Sequence, residues 1–198
     1  MQNYSAGFTA ENLYRNELKE TVKLQLAGMN KTEIRELVFE ENRFQCRSEA
    51  AIKDLFPRVY KRSLVLDDTM RNFLVEGSRP DANAVLLYAF LKTYRFPREF
   101  NHEVIYYHYH SLKEVITDGN ILAFFEQKEE QSETVRNWTG KTKYKIKQVT
   151  LKILTEAELL KRNDKEFFIT PIPISSVLRH YVEGSKEYND FLSLTLND

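Results

Sequence analysis

Lysines are the residues of this 198-residue chain best placed to do chemistry. Lys141, Lys145, Gln148 and Lys152 fall at spacings of four, three and four, the repeat that puts side chains on one helix face. Lys143 and Lys147 form a flanking row, and Lys161, Arg162 and Lys165 crowd a short turn just beyond. A row of ammonium groups neutralises phosphates and releases the counterions condensed around a nucleic acid. Gln148 and Asn163 carry amides of the kind that read base edges. From Thr139 to Lys165, eight basic residues stand against Glu156, Glu158 and Asp164. From Glu114 to Glu133 the balance reverses, with six acidic residues and Lys128 as the one base. The 29 Lys and Arg equal the 29 Asp and Glu, so any attraction for a polyanion must be local.

A second basic stretch lies between Arg43 and Arg62. There Arg43, Arg47, Lys53, Arg58, Lys61 and Arg62 face Glu49 and Asp54, and Ser48 is placed to cap a helix. Arg47, Ser48, Lys53, Arg58, Lys61 and Arg62 are the candidate contacts here. Pro57 falls inside the segment and is expected to kink or split it, so this stretch should contribute less than the lysine helix.

Other chemistries fit worse. Thr139-Gly140-Lys141-Thr142 ends like a phosphate-binding loop, but the required upstream glycine is replaced by Val135, and the preceding residues read as helix rather than strand. Thr139 is better read as a helix cap. His108 and His110 lie two apart and His102 lies six from His108, so helical spacing does not bring them together as metal ligands. Cys46 has no nearby base and reads as a small buried hydrophobe; a lone cysteine also suits a reducing compartment. The acidic pairs Glu40-Glu41 and Glu129-Glu130 are adjacent, so they do not face each other on a helix. No enzyme activity, cofactor, metal or small-molecule substrate is expected. No apolar run approaches the roughly 18 residues of a membrane span, and Met1 to Gly7 lacks a secretory pattern, so the expectation is a cytoplasmic protein without a membrane partner.

The elements that must position these groups are mostly helices. Thr9 is expected to cap the first, with Phe8 stapled to Leu13, a stripe of Leu13, Leu18, Val22 and Leu26, and Gly28 as the stop. Asn30 and Glu33 form a capping box for the second, and Ser48 caps the third. Asp67 or Asp68, Pro80-Asp81 and Pro97 open three more. In the second half, Asp118-Gly119 precedes a helix and Ser132 opens a short one ending near Trp138. Thr139 caps the long helix whose inward stripe is Ile146, Val149, Ile153, Ala157 and Leu160. Leu159-Leu160, the turn Arg162 to Lys165 and Phe167 to Ile169 suggest a hairpin, and Ser175 or Ser176 caps a last helix.

Helix, short helix, basic helix and basic hairpin is the order of a winged helix-turn-helix. In that reading Lys143 and Lys147 position the protein on phosphates, Lys141 and Lys145 approach the groove, and Arg162 and Lys165 are wing contacts. The first three helices form a weaker helix-turn-helix.

Tyr4 to Thr9, Glu40 to Ser48 and Ile153 to Leu160, in this order and spacing, resemble the BrxA family of bacterial BREX phage-defence systems over nearly the whole chain. The resemblance implies a cytoplasmic, non-enzymatic protein with DNA-binding helix-turn-helix elements, working beside larger BREX partners with methyltransferase and ATPase activity. The family has also been likened to the RNA-binding antiterminator NusB.

The expected fold is mainly α. It has a helix-turn-helix-like helical part over residues 1–112 and a winged-helix-like part with a small β-hairpin over residues 113–198. The expected function is non-enzymatic binding of duplex DNA, mainly through phosphates. The alternatives are an adaptor presenting Tyr106, Tyr107 and Tyr109 to BREX proteins, or an RNA-binding protein on a NusB-like body.

Overall fold

The computed structural model describes residues 3–164 and 166–198. Its helices start where short polar side chains can satisfy the orphan N–H groups of a first turn. Asn30 accepts from the amides of Thr32 and Glu33, and Glu33 accepts from the Asn30 amide, opening α2 (Lys31–Glu40) with a complete capping box. Ser48 caps α3 (Glu49–Ser63), Asp67 caps α4 (Asp68–Glu76) and Ser78 caps α5 (Arg79–Thr93).

Helix α1 (Arg15–Leu26) begins five residues later than the Thr9 cap implies. Residues 9–14 form an irregular strap instead, because Arg62 of α3 binds it: its guanidinium donates to the carbonyls of Asn12 (2.6 Å) and Leu13 (3.2 Å) and to the Glu11 carboxylate. Tyr14 then turns the chain with φ 56°, and Gly28 ends α1 with φ 83°. Pro57 does not split α3, which runs unbroken for 15 residues. The proline is exposed while Ile52, Phe56 and Val59 are buried, so the missing donor faces water and the buried face holds the helix together.

Helix α5 is buried continuously from Asn83 to Leu91, as an element apolar on all sides must be. It packs against α3, α4 and the last helix, α12 (Phe191–Thr195). Helix α6 (Arg95–Phe100) runs into a π-helical turn (Asn101–Tyr106) and then α7 (Tyr107–His110). Beyond the exposed αL turn at Leu112 come β1 (Val115–Ile116), α8 (Asp118–Gln131), α9 (Glu133–Arg136) and α10 (Gly140–Glu156). The hairpin of β2 (Leu160–Asn163) and β3 (Glu166–Ile169) follows, then α11 (Ser176–Gly184), a 3₁₀ turn (Lys186–Tyr188) and α12.

Thr117, rather than Asp118, caps α8 in a reciprocal pair with Asn120. The hairpin register runs from Leu160 opposite Ile169 to Asn163 opposite Glu166, and β1 adds to the far edge of β3, giving the antiparallel order β1-β3-β2. Strand β1 was not anticipated, because two residues are too few to display a period of two. Neither was α12, which follows the helix read as the last one. The fold is mainly α with a small sheet, as expected. The buried apolar side chains form one continuous cluster from Phe8 to Leu196.

Lys128, the one base of the acidic segment, is buried and ties α8 to the preceding helices. Its ammonium meets Glu99 at 2.8 Å and Glu103 at 2.5 Å, while Glu99 also receives Arg95 (2.6 Å) and the Tyr4 hydroxyl (2.5 Å). Burial opposes ionisation of Glu99, but hydrogen bonds from Lys128, Tyr4 and Arg95 outweigh it and hold its carboxyl below the usual range. A depressed carboxylate stabilises the fold above its unfolded pKa of 4.5, and that contribution is lost as pH falls through the lower folded value. Glu99→Gln should therefore melt below wild type at pH 7, and the two melting curves should converge as pH drops below about 4. An equal gap at pH 7 and pH 3 would contradict this assignment.

Candidate nucleic-acid interface

Thr139 caps α10 by accepting from the Thr142 amide at 3.2 Å. From there Ile146, Val149, Ile153 and Leu154 turn inward and are buried, with Ala157 and Leu160 continuing the stripe. The opposite face leaves Lys141, Tyr144, Lys145, Gln148 and Lys152 exposed. A cleft of about 920 Å³ opens over this face. Tyr144, Lys145, Gln148 and Lys152 line it from α10; Arg162, Asp164 and Phe167 line it from the hairpin; Thr9 to Asn12 of the strap form the far wall.

Fold packing sorts the cations. Lys141, Lys145 and Lys161 are exposed and make no ion pair among the described residues. Arg162 is exposed and donates through Nε to the carbonyl of Asp164 (3.1 Å), bracing the hairpin loop. Lys152 reaches across the cleft to Asn12 Oδ1 (2.5 Å) and lies 3.6 Å from Glu156. Lys165 lies outside the described residues. Lys143 and Lys147 require a correction. They are half-buried and committed to the acidic helix, Lys143 to Glu129 at 2.6 Å and Lys147 to Asp118 at 2.8 Å. Part of the charge segregation along the chain therefore cancels in space, because α8 supplies counter-charges to α10.

The N-terminal candidates are divided in the same way. Arg62 was read as a contact and cannot be one: its side chain is 0% exposed, paired with an equally buried Glu11 and stacked near the rings of Tyr14, Phe90 and Tyr94. Arg58 is half-buried and held by Asp54 (2.8 Å) and the Ala10 carbonyl (3.2 Å). Arg47 and Lys53 are exposed, Ser48 uses its hydroxyl to accept from Ala51 (3.3 Å), and the exposed Lys61 sits 5.1 Å above the Tyr94 ring.

Cys46 is half-buried rather than enclosed, and burial pushes its thiol up, with the charge of Glu17 adding to the effect. The aromatic run forms a ladder, with His102 stacked on Tyr106 (5.3 Å) and Tyr106 tilted against His110 (4.2 Å). Tyr106 donates to Asp198 (2.7 Å), whereas Tyr107 is 61% exposed. No helix is long and apolar enough to cross a membrane, and no group of three or more His, Cys, Asp or Glu could hold a metal, among the described residues.

Two site features escaped the sequence reading. Tyr144 looked like one aromatic among eleven tyrosines, and its i to i+4 relation to Gln148 was the available signal. The strap wall carried no signal, because only the fold brings Asn12 to Lys152.

The described topology is shared with known proteins. A protein-family model described as BrxA matches residues 2–186. A Bacillus cereus (strain H3081.97) protein described as "BREX protein BrxA" is 34% identical over 160 residues, covering 81% of this chain and 80% of its own. The crystal structure of an uncharacterized protein from Magnetospirillum magneticum superposes with a TM-score of 0.79 at 16% identity, covering 98% of each chain.

Proposed function

This chain belongs to the BrxA family, and from that premise we propose that it is a non-enzymatic, DNA-binding component of a BREX phage-defence system. It binds duplex DNA mainly through phosphates, and the other proteins of the system are its partners. The observation that carries the reading is the face of α10 on which Lys141 and Lys145 make no ion pair among the described residues, beside a hairpin, in the chain order β1-α8-α9-α10-β2-β3 with sheet order β1-β3-β2. This order supports reading the segment as a winged helix-turn-helix, in which the last helix enters the major groove and the hairpin touches an adjacent phosphate row. Lys141 and Lys145 approach the groove, and Lys161 and Arg162 take the flanking backbone.

A second reading, the adaptor, is favoured by one observation: Tyr107 and Leu112, five positions apart in the chain, are 61% and 91% exposed. Large exposed apolar side chains of this kind serve protein contacts rather than phosphates.

A salt titration separates the readings. With four or five cations engaged, log affinity for duplex DNA against log salt should slope at roughly −3.6 to −4.5, by the rule of −0.9 per phosphate. Single-stranded RNA should bind more weakly at every salt concentration. Folded protein that ignores duplex DNA at low salt would leave the adaptor in front, and preference for RNA would move the reading to the NusB-like alternative.

A further inference from the structure

Resting on the duplex-binding reading, we infer that Gln148 reads an adenine in the major groove and that Tyr144 positions it to do so. Gln148 stands exposed midway along α10, in the cleft, with Lys145 and Lys152 on the same face. Its Nε2 donates to the Tyr144 hydroxyl at 3.0 Å. That bond uses one amide hydrogen and sets the plane of the amide. It leaves Oε1 and the second Nε2 hydrogen without a partner among the described residues.

An acceptor beside a donor on one planar edge matches adenine, which offers the N6 amino group as donor and N7 as acceptor. Guanine presents two acceptors at this edge and so suits a cation; cytosine presents only a donor, and thymine an acceptor and a methyl group. Lys141 and Lys145 meet phosphates, which are the same in every sequence, so they supply affinity without selectivity. Asn12, the other amide in the cleft, is turned to Lys152 and is not available for a base. The Tyr144 hydroxyl keeps its own hydrogen and can donate it to a phosphate while it holds the glutamine.

The test is selection of duplexes from a random pool by the full chain, followed by affinity measurements. Wild type should enrich one A·T pair, with a preference of roughly ten-fold or more over the other bases at that position. Gln148→Ala should bind duplex DNA with the same salt slope but lose the enrichment there. Tyr144→Phe should weaken the preference and leave the slope unchanged. Replacing the selected adenine by 7-deazaadenine, which lacks the N7 acceptor, should weaken wild type and leave Gln148→Ala unaffected. Salt-dependent binding with no preferred base, or a preference that survives Gln148→Ala, overturns the inference while leaving the duplex reading standing. Absence of any duplex binding by folded protein overturns both.

Discussion

Reversing Lys141 and Lys145 to Glu should remove most duplex binding. Both ammonium groups are exposed on the outer face of α10 and carry no ion pair among the described residues, which leaves them open to a phosphate. By the counterion-release rule, each phosphate contact is worth about fifteen-fold at 50 mM salt, so losing two should cost about 10²-fold, with repulsion from the new carboxylates added. The salt slope should flatten by about 1.8. The melting temperature should hold, because the buried stripe of Ile146, Val149 and Ile153 is untouched and surface changes usually stay within about ±0.5 kcal/mol. The paired row provides the contrast. Lys143→Gln with Lys147→Gln should shift the slope by less than about half a unit, since these groups already answer Glu129 and Asp118. If the second pair flattened the slope as much as the first, the ion pairs would have to open on DNA, and the assignment of free and committed lysines would be wrong.

Arg62→Met should be among the most destabilising single changes in the chain. Arg62 and Glu11 both have side chains of 0% exposure, and removing Arg62 leaves the buried Glu11 carboxylate with only the longer contact to Arg58 Nε at 3.8 Å. Such losses cost about 3–5 kcal/mol. For a domain of this size that corresponds to a fall in melting temperature of roughly 6–20 °C. The substitution also frees the Asn12 and Leu13 carbonyls that the guanidinium binds, so the strap loses its anchor to α3. Because the strap walls the cleft, its release should expose the amides of residues 9–13 to hydrogen exchange before the rest of the molecule opens. Removing both charges in Arg62→Met with Glu11→Leu should recover part of the loss, since a buried pair can be replaced by apolar groups of similar volume at little cost. A single Arg62→Met variant melting within about 2 °C of wild type would remove the strap's claimed anchor.

The two predictions draw on the same division between cations that face solvent and cations that serve the fold, and the sequence alone could not make it. Arg62 and Lys61 are neighbours of identical charge in a basic stretch. One is fully buried and the other exposed, and helical phase separates them only once the inner face of α3 is known. Helical spacing separates Lys143 and Lys147 as a flanking row from Lys145, but only the fold shows that α8 answers that row with carboxylates.

What the sequence determined by itself was local. The Asn30 capping box, the Ser48 and Thr139 caps, the caps narrowed to Asp67 or Asp68 and to Ser175 or Ser176, the stripe from Ile146 to Leu160 and the existence of the hairpin all depend on residues within a few positions of one another. Helix geometry and strand register link such positions directly, so their chemistry is visible in the order of residues. Tertiary structure alone decided where the strap runs, that β1 completes the sheet and which cations remain free. Glu11 and Arg62 are 51 positions apart, and Asp118 and Lys147 are 29 apart. Over such distances residue spacing carries no geometric information. Coulomb attraction acts on positions that the packed core creates, so whether a lysine meets a phosphate or a carboxylate is decided by what the fold sets beside it.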